Sequence, residues 1–185
     1  MTLKRLATAV LLLAACQNVN SLSGSMSEEF PLDVSYVNVY RNDQAIQVNF
    51  LLNRNIYLDV VARVTVALII PDGGVNPKDG GVDIPLEAGM DLNVAGEYAP
   101  GHPICTVVHA PGGEPVRSMP PVLRGDFHLS GGGDPGELTS GDFSFVFDDS
   151  PLPDGGSTPG DIGFGRTLVG NFSAVAIDAG FGPLP

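Results

Sequence analysis

The sequence has no tryptophan, only two cysteines and two lysines, and no apolar stripe at helical spacing that persists over several turns. Each shortage excludes something. Without tryptophan and without a cysteine pair inside the domain, the core signature of an immunoglobulin-type sandwich is missing. Basic residues number 9 against 21 acidic ones, for a formal net charge of −12, and Lys78 is the only lysine after Lys4. A nucleic-acid surface needs clustered Lys and Arg to displace counterions, so nucleic acid is excluded as a partner. The same acidity argues against docking on anionic lipid by charge; it fits a surface facing an ionic medium, or cation binding. No apolar run approaches the ~20 residues that a helix needs to cross a bilayer. The motifs G-x-S-x-G, H-E-x-x-H and G-x-x-x-x-G-K-[ST] are also absent, and no catalytic residue is assigned.

What is present is a two-residue rhythm broken by turns. Ile46, Val48, Phe50 and Leu52 alternate with Gln47, Asn49 and Leu51, the pattern of a half-buried strand. Leu58, Val60, Ala62, Val64, Val66, Leu68 and Ile70 repeat it, with Asp59, Arg63 and Thr65 pointing the other way. Ile56, Val60 and Val64 also lie four apart, as on a helix. The density of β-branched residues decides for a strand, because they lose rotamer freedom in a helix and pack well on a pleated face. Asn42-Asp43 and Asn53-Arg54-Asn55 supply turns on either side. Residues 71–121 hold repeated prolines and the Gly-rich segment PDGGVNPKDGGVDIP, which predicts long loops and short edge strands around Asp91–Ala95 and Ile104–Ala110.

The last third carries a weak repeat: Gly125-Asp126-Phe127, Gly141-Asp142-Phe143 and Gly170-Asn171-Phe172, each followed by alternating residues. Unequal spacing rules out a solenoid, so these are read as antiparallel strands of one sheet, with the glycine turning or bulging the chain where each strand starts. GGGDPGE and DDSPLPDGGSTPGD are the intervening loops. Many short strands between Gly/Pro turns predict an all-β fold with little or no helix. Two arrangements fit, a two-sheet antiparallel β-sandwich or a partly open β-barrel.

The first sixteen residues follow a different rule. Lys4 and Arg5 precede a stretch of about ten residues from Leu6 to Ala15, apolar apart from Thr8, that matches the apolar region of a secretory signal. It ends in Leu13-Ala14-Ala15-Cys16, which resembles the lipobox of bacterial lipoproteins. The resemblance implies that residues 1–15 are a signal peptide removed by signal peptidase II, and that Cys16 is acylated. Gln17, a residue other than Asp after that cysteine, implies the outer membrane under the sorting rule of enteric lipoproteins. The membrane, reached through this N-terminal lipid anchor, is thus one partner; another envelope protein or a glycan is the other class considered. Residues 16–29 are small and polar and read as the lipidated cysteine with a flexible tether, spanning on the order of 20 Å. The domain is expected over 30–185.

Candidate sites are few. His102, Cys105 and His109 are the only clustered soft ligands, but Cys105 and His109 on one strand face stand about 13 Å apart, too far to share a metal. The bland reading is a buried, inert Cys105 without a partner in its own chain. The acidic loops offer oxygen ligands of the kind calcium takes: Asp72, Asn76, Asp79 and Asp83 in one, Asp148, Asp149, Asp154 and Asp161 in the other. Asp and Gly are equally the residues of solvated turns, and the ordered calcium-loop motif is absent. Asp126 and His128 share a strand face and would need a distant serine to form a hydrolase. A glycan site would draw on Tyr36, Tyr40, Tyr57 and Tyr98. The leading expectation is a lipid-anchored envelope protein with a non-catalytic structural or binding domain; a calcium-stabilised module binding a glycan or protein is the alternative, and a hydrolase ranks below both.

Overall fold

In a computed structural model the described residues are 20–42, 44–54, 57–70, 82–83, 88–96, 103–107, 117–132, 134–149 and 162–180. The three Gly-Asp/Asn-Phe segments fall inside three long strands, β10 (Val122–Gly131), β11 (Leu138–Phe147) and β12 (Thr167–Asp178), which lie side by side and antiparallel. The glycines do not start these strands, as expected from sequence, but sit within them. Each faces a phenylalanine of the neighbouring strand: Gly125 pairs with Phe145, Gly141 with Phe172 and Gly170 with Phe143. A Cβ on Gly125 would lie 2.6 Å from the Phe145 ring, one on Gly141 2.8 Å from the Phe172 ring, and one on Gly170 against the Phe143 ring. The missing side chain is the space the ring occupies. Phe172 lies over Gly141 and reaches Phe127 two strands away, with ring centroids 5.6 Å apart.

The chain before them supplies β1 (Ser21–Ser23), β2 (Tyr36–Arg41), β3 (Ala45–Arg54), β4 (Tyr57–Ala67), β5 (Ile69–Ile70), β6 (Val82–Asp83), β7 (Met90–Gly96), β8 (Pro103–Val107) and β9 (Arg117–Ser118). One sheet runs β7-β10-β11-β12-β2-β3-β4-β8-β9, and β5 pairs with β6 separately. Neighbours are antiparallel except β12 and β2, which run parallel over Ala176–Asp178 and Val39–Arg41. β7 and β9 close the ends of the path; β7 is the edge strand expected around Asp91–Ala95, whereas β8, at the position expected for the other edge, lies between β4 and the two-residue β9.

The all-β expectation holds, and the sheet takes the partly open barrel form, a strongly curled half-barrel. Phe50 on β3 shows the curl. It is three strands from β11, about 14 Å across a flat sheet, yet its ring meets Phe143 edge-on at 5.8 Å. Phe127, Phe143, Phe145, Phe147 and Phe172 fill the inside together with Ile46, Val48, Val64, Val66 and Leu129. No α-helix occurs among the described residues.

The predicted inner face of β4 is right from Ala62 to Leu68, all buried, and reversed at its start. Leu58 is exposed and Asp59 buried. The register slips between Phe50 and Leu51, which pair with Ala62 and Val60, so Val61 is an extra residue on β4. One extra residue in a period-two pattern exchanges inside for outside.

The second correction concerns the tether. Residues 16–29 were expected to lie outside the domain, but Ser21–Ser23 form β1 against Val169–Asn171 of β12. Ser25–Glu28 then form a single 3₁₀ turn that plugs one end of the half-barrel with the fully buried Met26. Gly24 makes the approach possible: its φ is 116°, and a Cβ there would strike the Thr167 carbonyl.

Candidate functional site

The alternation that turns the phenylalanines inward turns the residues between them outward. Across the convex face, Asp91 of β7, His128 of β10, Asp142 of β11, Asn171 of β12 and Ser21 of β1 form one row. Asn93, Asp126, Ser144, Val169 and Ser23 form the next. His128 Nδ1 is hydrogen-bonded to the Asp91 carboxylate, not to Asp126. Side chains two apart on a strand stand about 7 Å from each other, whereas cross-strand partners are about 5 Å apart, so the partner comes from the neighbouring strand. The pair is open to water, with side chains 33% and 78% exposed, and screening leaves it about 0–1 kcal/mol of attraction. On its other side His128 faces Asp142, a second carboxylate rather than a hydroxyl. Ser130 and Ser140 hydrogen-bond each other at 3.1 Å. The face is acidic and solvated, and the serine that a hydrolytic arrangement needs is not opposite His128.

The other candidates are placed as follows. Cys16, Asp72, Asn76, Asp79, Asp154, Asp161, His102, His109 and Tyr98 lie outside the described residues. Asp83 pairs with Ile69 in the β5–β6 ladder. Asp148 donates its backbone N–H to Pro121 and accepts from Gly165 N, and Asp149 follows it on the surface. Among the described residues no three His, Cys, Asp or Glu side chains stand close enough to hold a metal ion. Cys105 sits on β8 opposite Val64, and burial drives its thiol pKa far above the ordinary value, which leaves it unreactive. Tyr36 and Tyr40 face outward on β2, about 13 Å apart, with Asn38 between them; Tyr57 contributes its backbone to β4.

A densely hydrogen-bonded part of the described surface, which the sequence pattern does not announce, is the junction between the N-terminal segment and the sheet. Asn20 Oδ1 accepts from Ser173 N at 2.7 Å, and Asn171 Nδ2 donates to Ser21 Oγ at 3.2 Å. Ser25 and Thr167 exchange hydrogen bonds, each backbone N–H donating to the other's hydroxyl at 3.0 Å. Glu29 accepts from Gly163 N at 2.8 Å and from Arg166 Nε at 3.1 Å, while Arg166 Nη1 pairs with Glu28. These bonds to Glu29 and then Glu28 raise the Arg166 pKa further above its ordinary value. The sequence held a faint trace of this junction. Ser21-Leu22-Ser23 alternates, and Leu22, Met26 and Phe30 are spaced like a buried edge, but three residues are too few to separate a strand from polar linker. Among the described residues the junction begins at Asn20, four residues after Cys16. Compared with known proteins, the chain matches no family model, no curated protein and no solved structure.

Proposed function

We propose that the chain is a lipoprotein of the bacterial cell envelope, acylated on Cys16 and held on the outer membrane, whose half-barrel serves there as a non-catalytic structural or binding domain. One observation carries the reading: Lys4-Arg5, the apolar stretch and Leu13-Ala14-Ala15-Cys16 occur in the order and spacing of a lipoprotein signal. The described part of the fold starts at Asn20, four residues after this cysteine, a spacing that suits a lipid attached close to the domain. No helix among the described residues is long and apolar enough to cross a membrane. Lipid chains would supply the attachment, at about 0.8 kcal/mol per buried methylene, and stable anchoring takes more than one chain.

The test is Cys16→Ser in the full chain. The native protein is expected to incorporate radiolabelled palmitate and to sediment with membranes until detergent is added. The variant is expected to lose the label and to run with the soluble fraction. Equal partitioning of the two forms, with no palmitate on either, would remove the anchor.

A further inference from the structure

The described rows of the convex face are mostly polar, with Val169 and Leu123 as scattered exceptions, until the far ends of β11 and β12. There Leu138 faces Val175 across the ladder, with Ile177 two residues further along the same face, and the three are 62%, 55% and 44% exposed. Tyr40 stands beside Ile177 across the parallel pair. A solvated face of an antiparallel sheet calls for polar residues at these positions, and a contiguous exposed apolar patch marks a contact with a partner or a membrane.

The path of the chain says which. β1 runs antiparallel to β12, so stepping back from Ser23 to Ser21 moves forward along β12 from Val169 to Asn171. The Asn20–Ser173 hydrogen bond continues that direction. Val175 is the next outward residue, about 7 Å past Ser173, and Ile177 is about 13 Å past it. From Asn20 the chain to Cys16 can reach about 14 Å at most, whatever its conformation. A lipid on Cys16 would therefore be held no more than about 14 Å from Asn20, a distance comparable to that from Ser173 to Val175 and Ile177. Among the described residues near them, Asp134, Glu137 and Asp178 outnumber Arg41, which is itself paired to Asp134 at 2.9 Å. Charge gives no hold on anionic lipid here; only apolar burial does.

We propose that Leu138, Val175 and Ile177 rest in the interfacial layer of the membrane that carries the Cys16 lipid, so that the half-barrel lies against the bilayer instead of swinging on a tether. The proposal rests on the lipidated Cys16 of the preceding section.

It is tested on full-length lipidated protein with a polarity-sensitive thiol fluorophore on Val175→Cys or, as a control, on Leu123→Cys. Leu123 is exposed at the opposite end of β10, about 25–30 Å away along the strands. Cys105 is buried and escapes labelling, and an acylated Cys16 has no free thiol. The protein is reconstituted into vesicles of phosphatidylcholine and phosphatidylethanolamine containing a nitroxide-labelled lipid. The label at 175 is expected to be quenched several-fold more than the label at 123, equally in dilute and concentrated salt. Three results would overturn the proposal. Equal quenching at both sites in protein that floats with the vesicles would leave the anchor standing and detach the apolar residues from lipid. A blue-shifted label at 175 that the nitroxide lipid does not quench would assign them to a second copy of the chain. Protein that carries no lipid by mass spectrometry and does not float would remove the anchor and this seating together.

Discussion

Adding one methyl group to Gly170 should destabilise the fold, although glycine to alanine in a strand ordinarily stabilises it by about 0.4–1 kcal/mol through the unfolded chain. A Cβ at 170 would fall against the Phe143 ring edge, with Leu22 Cδ2 at 3.1 Å. The ring has nowhere to go. Phe145 stacks on it at 4.8 Å, Phe50 meets it edge-on at 5.8 Å and Phe127 lies at 6.5 Å. Overpacking of this kind costs about 1–3 kcal/mol, or roughly 2–12 °C in melting temperature for a domain of this size. Urea unfolding followed by far-UV circular dichroism measures it. Gly131→Ala is the control, since its Cβ would meet only the Ser140 hydroxyl, at 3.1 Å, and it should be close to neutral. Phe143→Ala alone should cost about 3–5 kcal/mol, and in that background Gly170→Ala should cost nothing further. A neutral or stabilising Gly170→Ala, or full additivity in the double variant, would refute the idea that the glycine is the space for the ring.

Two further outcomes follow from the core and its plug. Met26→Ala should lower stability by about 2–5 kcal/mol in the same unfolding assay, because Met26 is fully buried at the end of the half-barrel; a change within error would return residues 21–29 to the status of a tether. Cys105 should resist thiol reagents in the native state and react on unfolding. Its thiol stays protonated in the fold above the ordinary value of 9.0, whereas the unfolded thiol ionises there. Stability is therefore intact below that pH and falls above it, by at most about 1.4 kcal/mol per pH unit. Cys105→Ala should abolish that slope, and an identical alkaline slope in the variant would assign it to other groups.

Some of this was legible residue by residue. The Ile46–Phe50 and Ala62–Leu68 alternations read as strands with the correct inner face, because a side chain's facing depends only on the parity of its position. The three Gly-Asp/Asn-Phe segments read as neighbours in one sheet, although local sequence points to their glycines as turns or bulges at the strand starts. That error has a physical source. A glycine's own sequence reveals its freedom of φ, but the use made of its missing side chain lies in the opposite strand, at Phe145, Phe172 and Phe143. The reversal at Leu58 and Asp59 was hidden in the same way, since a bulge is a property of two paired strands and not of one. Asp126 looked like the partner of His128 because it is near in sequence, while the hydrogen bond goes to Asp91 on another strand.

By itself the sequence determined that the chain forms strands rather than helices and which side chains of a regular strand are apolar together, and it carries at Leu13-Ala14-Ala15-Cys16 the resemblance to a lipobox on which the proposed anchor rests. These depend on local spacing and composition. Only the tertiary structure decided that the sheet curls until Phe50 meets Phe143, that Ser21–Ser23 belong to it, and that the exposed Leu138, Val175 and Ile177 lie beside the point where the chain comes from Cys16. Each is a relation between segments distant along the chain, set by pairing register and the shape of a shared core, and no window of neighbouring residues contains it.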